Sequence, residues 1–234
     1  MSLFKMPELL NICVSDDNIL TDSGRVLCFG YSFKKEMFTM KILRIMVMAM
    51  MAVVVLMSLS ACFLPEDFDA SITVKKDGSY TFKYDGNLVH ALALSSIKEG
   101  KFAKKDEAEL KQYAKEIVNQ PGYKKVNYIG NARYKVLVDQ SGKAGEDYYF
   151  TAKDMSIFSI LNQADATMAI KALKLNEKDL KMLKDLDFDI VGTLTVSVEK
   201  GVKVIEHNAD KVSAGIYQWR IKNPEEAPRI IVKP

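Results

Sequence analysis

Few side chains in this sequence have the type and spacing to do chemistry, and Cys62 stands first among them. A cysteine thiolate is a strong nucleophile and can be alkylated or can hold a metal. Cys62 follows Leu59, Ser60 and Ala61, one aliphatic residue and two small ones. Small side chains at Ser60 and Ala61 let a protease close around the bond that precedes the cysteine. The other cysteines, Cys13 and Cys28, lie upstream. If the chain is cut before Cys62, one cysteine remains, and neither an internal disulfide nor a zinc cluster can form.

The remaining candidates read as structure. His207 lies in Glu206-His207-Asn208-Ala209-Asp210, where a base, an imidazole and an amide are close in sequence. Neighbours on a strand point to opposite faces, so this stretch reads as a strand end with a turn. His90 sits in an apolar stretch and reads as a core or boundary histidine. Asp185, Asp187 and Asp189 alternate like part of a calcium loop. Val191-Gly192 follows them, however, and no glutamate stands at the EF-hand spacing, so they read as a solvated helix-to-strand loop. A glycine-rich phosphate loop, a His-Glu-x-x-His helix and a Gly-x-Ser-x-Gly elbow are all missing. The expectation is no catalytic residue, no metal site, no cofactor and no enzyme.

The segment that places Cys62 begins at Met40. Lys41 and Arg44 are followed by the apolar run Ile45–Met57 and then by Ser58-Leu59-Ser60-Ala61-Cys62. Basic, apolar and small-residue regions in that order make a secretory signal peptide, and the positive charges hold its start on the cytoplasmic side. Leu59-Ser60-Ala61-Cys62 resembles the lipobox of bacterial lipoproteins. The resemblance implies a diacylglycerol on the Cys62 thiol and a cut before it by signal peptidase II, with Leu59, Ser60 and Ala61 as the recognition residues. A competing reading is an uncleaved signal anchor over residues 45–64, which carry no charge and are long enough for a hydrocarbon core of about 30 Å. Both put the remainder outside the cytoplasm. A leader of 61 residues would far exceed the usual length of about 15–30. Residues 1–39 therefore read as a start-site artefact upstream of Met40 or Met37, or as a short cytoplasmic tail.

From Cys62 onward there are 27 basic and 25 acidic residues, a balance of about +2. A nucleic-acid partner, which asks for a pI above about 9, is not expected. Lys98, Lys101, Lys104, Lys105, Lys111 and Lys115 cluster among Asp106, Glu107, Glu109 and Glu116. The plain reading is a solvated helix face; the sharper one is contact with anionic head groups.

The elements follow from periodicity. Residues 62–67 read as the lipidated cysteine and a short tether, reaching at most about 18 Å. Residues 68–222 read as one α+β domain, mainly antiparallel sheet with two or three helices. Ala70, Ile72 and Val74 alternate with polar residues, Asp77-Gly78 supplies a turn, and Tyr80, Phe82 and Tyr84 continue the pattern as a hairpin. Leu88–Ile97 reads as a strand extension or a short helix. Lys104–Gln120 reads as an amphipathic helix stopped by Pro121-Gly122. Strands are expected over Lys124–Ile129, Arg133–Asp139, Met155–Leu161, Ala166–Leu173, Ile190–Val198 and Val202–Glu206, with Tyr217, Trp219 and Ile221 closing the set. Asn176 caps a helix over Glu177–Leu186. Residues 223–234, with Pro224, Pro228 and Pro234, read as a loose tail or an edge strand.

The stretch from Phe68 to Gly86, the run Gly192-Thr193-Leu194-Thr195-Val196, and Glu206–Asp210 with Tyr217-Gln218-Trp219 are similar to uncharacterised Gram-negative envelope lipoproteins. More distantly, the Asp-Gly hairpin, the helix and the closing tryptophan strand resemble LppM-like lipoprotein domains, which are associated with lipid binding. The resemblance implies a membrane-anchored protein of the cell envelope that binds a lipid or another envelope component. The alternative is a structural or assembly partner of an envelope complex. Phe63 stands where an aspartate signals inner-membrane retention in enteric bacteria, which implies the outer membrane, facing the periplasm.

Overall fold

The computed structural model describes residues 63–222 and 227–234. Cys62, Leu59, Ser60 and Ala61, with the segments 1–39 and 40–61, lie outside the described residues.

Alternating apolar residues build the first hairpin, β1 (Phe63–Val74) and β2 (Tyr80–His90). At its turn the Asp77 carboxylate accepts from the Ser79 backbone N–H at 2.9 Å and from its hydroxyl at 2.6 Å. Gly78 takes the positive φ of 80° that the turn requires. Two of the three helices among the described residues stand where the sequence signals put them, and the stretch Leu88–Ile97, open between strand and helix, is divided, with Leu88–His90 ending β2 and the helix starting at Ala91. Helix α1 spans Ala91–Lys98, α2 spans Lys104–Ile117 and α3 spans Glu177–Asp185. In α2, Leu110, Ala114 and Ile117 are buried at i, i+4, i+7. Asp106 accepts from the Ala103 N–H at 2.8 Å, satisfying a donor at the helix start. In α3, Asn176 accepts from the Asp179 N–H while Asp179 accepts from the Asn176 N–H, both at 3.0 Å, a reciprocal capping box.

The other strands are β3 (Tyr123–Gly130), β4 (Arg133–Gly142), β5 (Tyr148–Phe150), β6 (Phe158–Asn162), β7 (Met168–Ala172), β8 (Val191–Val198), β9 (Lys203–His207), β10 (Lys211–Ser213), β11 (Ile216–Lys222) and β12 (Arg229–Lys233). They form two sheets, ordered β10-β11-β8-β1-β2-β4-β3 and β5-β6-β7-β12-β9. The α+β class and the dominance of antiparallel pairing agree with the periodicity. Aromatic rings join the sheets: Phe150 of β5 lies 4.7 Å from Tyr84 and 5.1 Å from Phe82 of β2, and Phe158 of β6 lies 5.7 Å from Phe68 of β1.

Two local expectations are corrected. Phe63–Asp67 is no tether: β1 starts at Phe63, which pairs with His90, and Leu64 is buried. The apolar Phe63 and Leu64 gain more from burial than a solvated linker could offer. The stretch after Asn223 is no edge or loose tail, because β12 lies inside the second sheet, between β7 and β9. Arg229–Lys233 carries no proline, so all its N–H groups can join a ladder. Gly201, at φ 106°, lies where the chain passes from the first sheet to the second. Finally, β1 and β8 pair in parallel, with Phe68 opposite Gly192 and Val74 opposite Val198.

Asp67, at φ 45°, interrupts the β1–β2 register between Glu66 and Asp69 and turns Phe68 into the core. Phe68 fits because glycine faces it on both neighbours, Gly86 of β2 and Gly192 of β8. A Cβ on Gly86 would lie 2.7 Å from the Phe68 Cα, and backbone cannot swing away. Gly86→Ala is therefore expected to destabilise by about 1–3 kcal/mol through overpacking. Urea unfolding of the two proteins at one pH measures this directly.

Candidate functional site

The site grows from the junction of β1, β2 and the first two helices. Strand β2 ends at His90, and the imidazole Nδ1 accepts from the Ala93 N–H at 3.2 Å, capping α1 in place of the usual serine or aspartate. Burial holds the His90 pKa below its ordinary value, because desolvation disfavours the imidazolium. Helix α2 is held to β4 by Tyr134, whose hydroxyl donates to the Leu110 carbonyl at 3.2 Å. Burial of that phenol pushes its pKa up.

Phe63 fills the angle between these elements. Its ring stacks on Tyr113 of α2 at 6.1 Å and 3°, and meets His90 at 5.6 Å and Tyr134 at 5.7 Å edge-on. Nearby, Arg133 donates to both Glu66 oxygens at 2.7 and 2.8 Å, fastening the start of β1 to β4. The residue that follows Cys62 is thus locked into the domain.

Between α1 and α2 lies a groove of about 620 Å³. Leu92, Ala93, Phe102, Leu110 and Tyr113 give it apolar walls, and His90 lies at its end. Leu92 is 56 % exposed, a large apolar side chain left open to solvent. Asp106, Glu109 and Glu116, with Ser96 and Gln112, complete the lining, and no lysine or arginine contributes to it. A smaller hollow of about 290 Å³ opens beside Ile97, Phe102 and Tyr128. The hollow between the sheets near Phe68 and Phe158 holds only about 20 Å³, and one of about 610 Å³ lies between α2 and β3, beside Lys111, Lys115 and Tyr128. Phe63, Phe102 and Tyr113 as site residues were not legible beforehand. The signal available was the apolar pair Phe63-Leu64 immediately after Cys62.

His90 is a buried capping residue, as its apolar surroundings imply. His207 ends β9 and is exposed; its Nδ1 accepts from the Ala209 N–H at 3.2 Å and its ring lies edge-on to Tyr217 at 4.9 Å. Glu206 pairs with Arg229 at 2.8 Å and Asp210 accepts from the Arg220 N–H at 2.7 Å, so the acids around His207 hold structure. Asn208 does most of this work. Its oxygen accepts from the Trp219 indole at 2.9 Å and from the Arg229 N–H at 2.8 Å, and its amide donates to the Ala227 carbonyl at 3.0 Å. One side chain so ties β11 of the first sheet to β12 of the second. Asn208→Ala strips partners from these groups and is expected to cost about 1–3 kcal/mol. Thermal unfolding followed by tryptophan fluorescence reads the loss at Trp219.

Asp185, Asp187 and Asp189 are exposed between Leu186, Phe188 and Ile190, which point inward. Asp187 lies 3.9 Å from Lys98. Among the described residues, no group of three or more His, Cys, Asp or Glu could hold a metal ion. Lys101, Lys105 and Lys111 pair with Glu99, Glu109 and Glu107, which blunts the positive face around α2.

The capping role of His90 has a pH signature. Unfolded histidine takes up a proton near pH ~6.5, whereas native His90 stays neutral to a lower pH. The unfolded state then binds more protons, so stability falls as pH drops through that value and levels off below the native pKa. His90→Asn keeps an acceptor for the Ala93 N–H and is expected to remove this part of the pH dependence. Denaturant midpoints of both proteins between about pH 5 and 7.5 test it.

No known protein family matches the chain, and no curated protein does. Among solved structures, the folded domain of Mycobacterium tuberculosis LppM, determined by NMR, matches with a TM-score of 0.33 at 13% identity, covering 74% of this chain and 89% of that one. A likeness of that extent carries no conclusion about this chain.

Proposed function

We propose that the chain is a non-enzymatic lipoprotein of the cell envelope, held by a diacylglyceryl group on Cys62 and binding a lipid or another envelope component. One observation carries the reading: Phe63, the residue after Cys62, is already paired in β1 and its half-buried ring stacks on Tyr113, so the fold reaches to the residue next to the cysteine. An anchor at Cys62 holds the α1–α2 pole against the membrane. The groove and exposed Leu92 lie at that pole, where an apolar opening meets lipid instead of water. Strand pairing of Phe63 and Leu64 also removes them from the 45–64 run that an uncleaved anchor would use. The outer membrane, facing the periplasm, is the proposed location, because Phe63 and not aspartate follows the cysteine.

Mass spectrometry of protein extracted from membranes tests this. A chain that begins at Cys62 with added acyl mass is the expected result. An intact Met1 or Met40 terminus without acyl mass on Cys62 overturns it.

A second reading, assembly with an envelope complex, has its own observation. The edge strands β9 and β10 expose Ile205 (53 %) and Val212 (49 %), and open edges invite pairing with another chain. Ile205→Lys and Val212→Lys should abolish any cross-linked partner at these edges and leave lipid binding intact; unchanged cross-linking removes this reading.

A further inference from the structure

We propose that the groove between α1 and α2 takes up one of the acyl chains carried by Cys62 itself. This rests on the reading of Cys62 as the lipidated residue, and adds where one of its chains goes. The first argument is position. Phe63, the next residue, stacks on Tyr113 and meets His90 edge-on, and both line the groove. The backbone that carries Cys62 is thus joined directly to a residue packed on two groove-lining side chains.

The second argument is shape and polarity. At about 620 Å³ the groove lies within the range of about 300–1,000 Å³ typical of small-molecule sites. Leu92, Ala93, Phe102, Leu110 and Tyr113 offer a hydrocarbon chain the apolar contact it lacks in water. The third is charge. Asp106, Glu109 and Glu116 share the lining and no cation does, Lys105 pairing with Glu109 from outside it, so the phosphate of an anionic phospholipid finds no cation in the groove. A diacylglyceryl thioether carries no phosphate and needs no cation. Tethering adds to this, because a ligand on a short link faces its site at an effective concentration on the order of millimolar.

The consequence is a graded anchor. Stable membrane attachment takes two acyl chains, whereas one gives only marginal, reversible binding. With one chain in the groove the other holds the protein loosely; with both in the bilayer it is held firmly. The groove thereby sets how readily the protein leaves its membrane.

Cells fed a fatty acid with a terminal diazirine provide the test on the full lipidated chain. After irradiation, the expected result is cross-links from the Cys62 acyl group to Leu92, Ala93, Phe102, Leu110 or Tyr113. Acyl mass on Cys62 with cross-links only to phospholipid, or only to residues outside the groove, overturns this inference and leaves the anchor standing. Absence of acyl mass on Cys62 overturns both.

Discussion

Cys62→Ser is expected to leave the precursor uncut, still carrying residues 40–61, and to remove every acyl mass from the protein. The reason is chemical. A thiol ionises near pH ~8.5 and supplies a thiolate to attack the lipid donor, whereas a serine hydroxyl stays protonated in water. Without the lipid, the small residues Ser60 and Ala61 present no modified substrate to the peptidase that the lipobox implies. Gel mobility and intact-mass measurement of membrane extracts read both changes together. If residues 45–64 instead serve as an uncleaved anchor, wild type and variant migrate alike and neither carries acyl mass. The fold is expected to be indifferent to the change, because its first paired residue is Phe63. Circular dichroism of the purified proteins checks that separation of anchor from fold.

The largest expected effect on stability is that of Phe150→Ala, about 3–5 kcal/mol. Phe150 is completely buried, and its ring lies within 4.7–6.5 Å of those of Tyr84, Phe82, Tyr123 and Phe158. Those partners come from both sheets, so truncation opens a cavity at the seam where the sheets meet and not at a margin that can collapse. That is about a fifth or more of a domain's usual net stability of about 5–15 kcal/mol. Urea unfolding of the purified domain measures it, and a shift below about 1 kcal/mol would mean that the seam is not the main tie between the sheets. Phe150→Leu, which keeps much of the volume, should recover a large part of the difference.

The two variants separate attachment from folding, and the geometry around Phe63 explains how they meet. The same ring that closes the corner between β1, α1 and α2 follows the residue through which the protein is proposed to hold its membrane. A tether of solvated residues would let the domain turn freely on the surface. With Phe63 already bonded to β2 and the strand fastened by the Glu66–Arg133 pair, an anchor at Cys62 would restrict that turning instead.

Local signals in the sequence determined a good deal. The Asp77-Gly78 turn, the amphipathic spacing of α2 and the Asn176 cap of α3 each depend on residues within about one helical turn or one hairpin, and each stands where periodicity put it. The buried setting of His90 and the solvated loop at Asp185–Asp189 were legible for the same reason, whereas the capping role of His90 was not. What only the tertiary structure decided involves partners far apart in the chain. An alternating strand has the same pattern whichever sheet accepts it, so nothing local in β8 announces parallel pairing with β1, and nothing in Lys203–His207 announces the second sheet. Gly86 and Gly192 look like ordinary strand interruptions until Phe68 is placed between them. Arg229–Lys233 follows prolines and looks like a tail, yet it is inserted between β7 and β9 because its apolar Ile230 and Val232 complete the second sheet's buried face. Most consequentially, Cys62 and its lipobox resemblance come from the sequence alone. That the next residue packs on two groove-lining side chains, and is not left on a tether, depends on Tyr113 and His90, which reach Phe63 only through the fold.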